Sequence, residues 1–275
     1  MKKLIRKLTL FILLILFLGV FAVLWLAWRW RPNLAPAKAR PIYPVIGHHP
    51  DTLLVAFVGD SWADLHPSSL PDSVVSADWT ARIGKPVRFV SCGKGGANSG
   101  DVYRLMFHQN LPIDSFSSMQ LLQQHPDYCI VSAGANDARQ NLGKNFYVAN
   151  YQLIINHLLR CGIRPVVIEM PDLDLVTADG GISLKIWVKS FWLDTKPYNV
   201  SEYRQALQQY LQESKMIDSI IYVGCELWNP NGFHNTMLYQ DDRIHLNAKG
   251  YGRLDSCLLS VIINDNQDRK KIYLQ

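Results

Sequence analysis

From residue 52 onward, short apolar runs alternate with stretches of helical periodicity. The runs over 52–58, 86–91, 127–133, 163–170 and 219–224 are nearly continuous in apolar character. That is the pattern of parallel strands buried on both faces. Arg88 interrupts the second run and makes it the weakest strand candidate. Apolar residues recur at helical spacing near 74–83, 100–109, 115–124, 146–160, 201–213 and 248–262. Asn199 and Glu202, three apart, predict a capping box where the fifth of these begins. The alternation predicts an α/β domain whose five-stranded parallel sheet carries helices on both faces. In such a sheet, ligands bind beyond the carboxyl ends of the strands.

The N-terminal pattern is different. Leu8 to Trp28 contains no charged residue. Its 21 residues span roughly 30 Å as a helix, the hydrocarbon thickness of a bilayer. We read residues 1–30 as an anchor with a transmembrane helix at about 8–28. A cleaved signal peptide is the alternative. Against it, the stretch exceeds the ~7–15 apolar residues of such peptides, and Arg29 and Arg31 precede the one candidate site, Ala35-Pro36-Ala37. Trp25, Trp28 and Trp30 suit the far interface. Basic residues flank both ends, so the positive-inside rule discriminates poorly. The short leading segment favours N-terminus in and domain out, a single-pass protein of the cell membrane with an extracytoplasmic domain. Pro32, Pro36, Pro41, Pro44 and Pro50 mark 31–50 as a linker. A domain over 51–265 and a tail over 266–275 complete the chain.

Charge changes the picture once it is divided the same way. Of the 28 Lys and Arg residues, eight lie in residues 1–40, which hold no acid, leaving 20 basic against 23 acidic residues beyond. A mildly acidic domain has no electrostatic footprint for nucleic acid. The five cysteines (92, 129, 161, 225 and 257) are widely spaced, form no C-x-x-C and read as buried thiols. There is no HExxH or other close ligand spacing, so neither metal nor cofactor is expected.

The candidate chemistry stands at strand ends. Gly59-Asp60-Ser61-Trp62 follows the first strand, where glycine permits a sharp turn and the serine would begin a helix. Turn and capping chemistry uses the same residue types. Asp242-Arg243-Ile244-His245, near the other end, supplies what a serine lacks. A hydroxyl is a weak nucleophile without a base; histidine is that base, and a carboxylate fixes its tautomer. A surface turn is the plainer account of Asp242-x-x-His245 alone. The Gly-rich stretch Ser91 to Asn98 follows the second strand, and Gly134-Ala135-Asn136-Asp137 the third. A glycine amide and an asparagine side chain could serve as oxyanion donors. The Gly-rich stretch fails as a phosphate loop, since Gly95 follows Gly93-Lys94 and Asn98 breaks G-x-G-x-x-G.

In order and context these blocks resemble the SGNH (GDSL-like) hydrolases, over roughly residues 52–263. The resemblance implies a flavodoxin-like three-layer α/β/α sandwich and an esterase. It implies Ser61 as nucleophile, His245 as base and Asp242 as the group that orients it. It implies an oxyanion hole of the Ser61 and Gly96 amides and the Asn136 side chain. Gly96 is preferred to Gly93 because the family's donor is the later glycine of its block. Trp62 replaces the family's usual Leu or Ile, and Ser91 its usual Asn. Asp60 and Asp137 read as supports for the loops.

Trp62, His66, Trp187 and Trp192 are candidate pocket residues, with packing the alternative for Trp62 and a solvated loop the alternative for His66 and His234. The stretch 172–198 is long for a connection. Its apolar residues, Ile182 to Trp192, suit either a covered core helix or a lid near the site or the membrane. The expected activity is a membrane-anchored serine esterase acting on a small-molecule or glycan ester, such as O-acetyl groups of surface polysaccharide. Acyl transfer to a glycan, lipase or lysophospholipase activity, and non-catalytic glycan binding are the rivals. Oligomeric state is not readable.

Overall fold

The computed structural model describes residues 2–29, 37–44, 46–47, 51–107, 117–193 and 195–273. Five parallel strands form one sheet: β1 (Leu53–Gly59), β2 (Val87–Gly93), β3 (Tyr128–Ser132), β4 (Arg164–Ile168) and β5 (Ile221–Val223). Their order is β2-β1-β3-β4-β5, the flavodoxin-like arrangement, whose chain reverses direction across the sheet between β1 and β3. Every residue of β1 and β3 is buried, which is why both read as nearly continuous apolar runs. β2 lies at an edge, and there Arg88 reaches solvent. β5 is shorter than the 219–224 run; a 3₁₀ turn occupies Met216–Ser219.

Helices α4 (Ser99–Leu105), α7 (Lys144–Arg160) and α10 (Val200–Glu213) cover one face of the sheet. The other face carries α2 (Ser61–Ser69), α3 (Asp72–Ile83) and α11 (Ala248–Tyr273). Two short helices, α5 (Met119–Gln123) and α6 (Ala135–Arg139), flank β3 in sequence. The three layers share one hydrophobic core, from Trp79 and Phe89 near one edge to Leu211 and Val223 near the other. α11 runs beyond the predicted 262 and takes in most of the expected tail. The capping box expected at Asn199 does not form: the Asn199 amide donates to Glu202 Oε1 at 3.0 Å, and its side chain accepts nothing from the backbone. A complete capping box forms instead between Asn98 and Asp101, at α4.

Helix α1 (Lys2–Arg29) is long and apolar enough to cross a membrane. Most of the expected linker, Trp30, the ends of the 100–109 and 115–124 patterns and the last two residues of the tail lie outside the described residues. The described part of the linker is docked on the domain. Ala37 N donates to Asn150 Oδ1 (3.2 Å), Arg40 N donates to the Tyr103 hydroxyl (3.0 Å), and the Tyr43 ring packs against Phe107 and His157. The stretch 172–198 is neither one helix nor wholly covered. It holds α8 (Leu175–Ala178) and α9 (Leu184–Ser190). Ile186 and Val188 are buried, while Leu184, Trp187, Phe191 and Trp192 are largely exposed. α1 meets α9.

Candidate active site

The carboxyl ends of β1, β2 and β3 lie side by side, with Gly59 in register with Gly93 and Ser132. The loops that follow therefore converge, which brings together residues 61, 96 and 136. Close approach explains the two strand-end glycines. A Cβ on Gly59 would lie 2.2 Å from Ser132 Oγ. A Cβ on Gly93 would lie 2.3 Å from the Asp64 amide nitrogen, so β2 needs glycine there to pass under α2. Gly96 is different in kind. It has open space around it and a φ of +76°, the left-handed region that favours glycine.

Asp60 caps α2, its Oδ1 accepting from Trp62 N at 3.1 Å and from Ser132 Oγ at 3.2 Å. Ser61 is thus the first residue of a helix, where amide groups are unpaired and the dipole favours negative charge. Across the cavity, Asp242 makes a tight turn: its Oδ1 accepts from the amides of Ile244 and His245, both at 2.9 Å. Within that turn Arg243 adopts a φ of +56°. Asp242 Oδ2 lies 2.5 Å from His245 Nδ1, and His245 Nε2 lies 2.9 Å from Ser61 Oγ. With Nδ1 donating to the carboxylate, Nε2 is free to accept the serine proton. Burial raises the pKa of Asp242, but the two amides and the imidazole outweigh it and hold the carboxyl below its ordinary range. The turn is pinned from behind, as Trp62 Nε1 donates to the Ile244 carbonyl at 3.1 Å.

Asn136 sits on α6, opposite Ser61. One of its two amide protons goes to the Ala97 carbonyl at 3.0 Å, which leaves the other for a ligand. Asp137 holds the Gly96 loop from below: its two oxygens accept from Ser99 N (2.8 Å) and Ser99 Oγ (2.6 Å). Burial pushes Asp60 up to about 7 and Asp137 up to about 6. Ser61, Gly96, Asn136 and His245 line one cavity of about 210 Å³, together with Leu65, Ala135, Leu175 and Ile244. A hydroxyl, an imidazole and a carboxylate in hydrogen-bonded series, facing amide donors, can attack a carbonyl and stabilise the oxyanion that forms.

Residues 57–253 match the sequence profile of the GDSL-like Lipase/Acylhydrolase family. The chain belongs to that family. This acylhydrolase is accordingly a serine hydrolase acting on ester bonds. No curated protein matches it by sequence. Its fold is similar to solved structures of low identity. A GDSL-like lipase from Bacteroides thetaiotaomicron is 15% identical (TM-score 0.52), with 78% of this chain and 89% of that one covered. The lipase/acylhydrolase from Enterococcus faecalis is 16% identical (TM-score 0.52), covering 77% and 96%. An acetyl xylan esterase is 15% identical (TM-score 0.54), covering 76% and 99%.

Four candidate pocket residues of the hydrolase stand elsewhere. Trp62 is fully buried, edge-on to Trp228. His66 is neither in the cavity nor in solvent. It is 0% exposed, with Nε2 3.1 Å from Asp255 Oδ2 and Nδ1 3.3 Å from Asp72 Oδ1. Ser91, the departure from the family's Asn, belongs to this cluster: its amide and hydroxyl donate to Asp72 at 2.7 and 2.8 Å. Trp187 and Trp192 are about half exposed and line neither this cavity nor the one beside it. His234 lies in a 3₁₀ turn, stacked on Phe233. Arg139, which lines the cavity, was not expected; its spacing of three from Asn136 on α6 was the available signal. Among the described residues, Glu169, Cys225 and Glu226 bring possible metal-ligating atoms within 4.8 Å of one another. Glu169 is already engaged, accepting from the Tyr222 hydroxyl (3.0 Å) and Cys225 N (2.7 Å).

Proposed function

We propose that this protein is a membrane-anchored esterase that removes short acyl groups, acetyl foremost, from hydroxyls of a glycan outside the cytoplasmic membrane. The observation that carries the reading is the continuous series Asp242–His245–Ser61 at a cavity of about 210 Å³. That volume lies below the ~300–1,000 Å³ of sites that take drug-sized ligands. It suits an acetyl group better than a long acyl chain, which argues against the lipase reading. The likeness to an acetyl xylan esterase supports a glycan ester. The apolar length of α1 and its contact with α9 support an anchored domain close to the bilayer.

In the mechanism we propose, Ser61 Oγ attacks the ester carbonyl and passes its proton to His245 Nε2. Asp242 orients the ring and stabilises the imidazolium. The oxyanion accepts hydrogen bonds from the amides of Ser61 and Gly96 and from Asn136 Nδ2. His245 then protonates the departing alkoxide as its bond to the acyl carbon breaks. A water molecule attacks the acyl-enzyme, giving a proton to His245, and the acid leaves as that proton returns to Ser61.

The test uses the full chain in detergent micelles with p-nitrophenyl acetate, butyrate and octanoate. Turnover falling with chain length, and Ser61→Ala reducing kcat by about 10⁴-fold or more, is the expected result. Equal rates on octanoate would sink the short-acyl reading, and turnover independent of Ser61 would sink the mechanism.

A further inference from the structure

The cavity beside Ser61 shares Gly96, Asn136 and Arg139 with a second hollow of about 560 Å³, walled on its far side by α9. A carbonyl held at Gly96 and Asn136 would therefore have one substituent in each. The smaller space suits the acyl group, and the larger one is left for the alcohol part of the ester.

The charges in the larger hollow do not balance. Its ionisable residues include Arg139, Asp179, Lys185 and Lys189. Arg139 and Asp179 satisfy each other, Nε reaching Oδ1 at 2.7 Å and the guanidinium making a second bond to the same oxygen. Among the described residues the lysines are left over. Lys189 is buried, its ammonium donates to the Gln140 carbonyl at 2.8 Å, and no carboxylate pairs with it among the described residues. Lys185 stands one turn earlier on α9, and like charges four apart on a helix repel. Burial first, and Lys185 second, press Lys189 towards its neutral form. A buried ammonium without a counter-charge is costly, and an anion between the two lysines would relieve both the burial and the repulsion. The nearby acid Asp64 lines the smaller cavity and accepts from Gly95 N at 3.2 Å, so the positive side of the site is the α9 side.

We propose that this hollow holds an anionic group of the ester's alcohol part, a carboxylate or a phosphate, so that the substrate is an acylated acidic glycan. The proposal rests on the reading of Ser61 as the nucleophile. The anion sits against Lys185 and Lys189 while the ester carbonyl lies at Gly96 and Asn136.

The experiment compares three methyl glycosides carrying the same O-acetyl group on the full chain in detergent: a neutral hexoside, the hexuronide and the hexoside 6-phosphate. The expected result is a kcat/KM for at least one charged substrate about tenfold or more above the neutral one, the effect of one charge-assisted hydrogen bond. Which charged substrate leads tells carboxylate from phosphate. The preference should shrink at about 0.5 M salt, where the Debye length is only a few ångströms. It should collapse towards one in Lys185→Gln and in Lys189→Gln. Because Lys189 is buried and that variant could fail to fold, the exposed Lys185→Gln carries the test alone. A wild-type ratio near one overturns the proposal, as does a ratio unchanged in Lys185→Gln. A second readout needs no turnover: the acetylated hexuronide and hexoside phosphate are titrated by calorimetry into the Ser61→Ala protein, with and without Lys185→Gln. Lysine-dependent binding without any ester turnover by the unsubstituted protein would support the anion site and sink the esterase reading. Ser61-dependent turnover of neutral esters with no lysine-dependent preference would do the reverse.

Discussion

Two serine–histidine–aspartate groupings draw on α2, one through Ser61 and the other through His66, and they differ in what surrounds the histidine. At the cavity, Ser61 Oγ is 2.9 Å from His245 Nε2, and His245 Nδ1 is 2.5 Å from Asp242. In the core, Ser91 Oγ is 3.1 Å from His66 Nδ1, and His66 Nε2 is 3.1 Å from Asp255. The distances alone barely distinguish them. The surroundings do. His66 is fully buried between two carboxylates, Asp72 and Asp255. Burial alone would favour its neutral form, but hydrogen bonds and charge from Asp255 and Asp72 outweigh it and raise its pKa to about 9. A histidine kept protonated cannot take a proton, and Ser91 gives its own to Asp72. His245 has one carboxylate and a ring partly open to the cavity. Access and the number of acids, more than the order of contacts, distinguish the two groupings.

The comparison breaks most visibly through kcat. His245→Ala should lower kcat on p-nitrophenyl acetate by about 10⁴-fold or more while the thermal midpoint barely moves. A residual rate near wild type would remove His245 from the chemistry. Asp242→Asn should lower kcat by about 10³–10⁴-fold, because the ring loses the group that sets its tautomer.

His66→Ala should act the other way round. It leaves Asp72 and Asp255 without their counter-charge, and stability should fall by about 3–5 kcal/mol, as when one partner of a buried pair is removed. The folded fraction should keep kcat within a few-fold. A loss of kcat comparable to His245→Ala, in protein shown to be folded by circular dichroism, would erase the distinction.

Smaller effects sharpen the same contrast. The pKa of His66 is raised on folding, so its stabilisation is complete below about 6.5 and is lost as pH rises through about 9. Melting temperature should decline across that window in the wild type and more weakly in His66→Ala. Asp242 is lowered, so what it contributes is present above its unfolded value near 3.8 and is lost only as pH falls through its folded value. Last come the glycines. Gly93→Ala drives a methyl into the backbone of α2 and should cost about 3 kcal/mol of stability. Gly96→Ala meets only its left-handed φ, about 1–2 kcal/mol. Measured by chemical denaturation, the reverse order would disprove the division of roles between them.

The strands were legible because a sheet covered on both faces demands apolar side chains on both, in runs too short for a buried helix. The blocks around Ser61, Asn136 and His245 were legible because each follows a strand or turn whose geometry local residue types dictate. The His66 cluster was not, since its second acid, Asp255, lies 189 residues away on α11 and only the packing of α2 against α11 joins them. Trp62 was ambiguous for the same reason: the carbonyl it binds belongs to Ile244, on the turn that carries His245. Trp187 and Trp192 were ambiguous because apolar residues stand on both the buried and the exposed sides of the segment that carries them, and only the packing of Ile186 and Val188 into the domain orients it.

The sequence by itself determined the apolar helix at the amino terminus, the alternation of strand and helix, and the residue types at each strand end. Those follow from local backbone chemistry and from the burial each element requires. Only the tertiary structure decided which histidine meets solvent, which glycine is left room, and that two lysines of α9 share a hollow with Asn136. Those depend on distances between segments far apart in the chain, which are set by packing rather than by neighbouring residues.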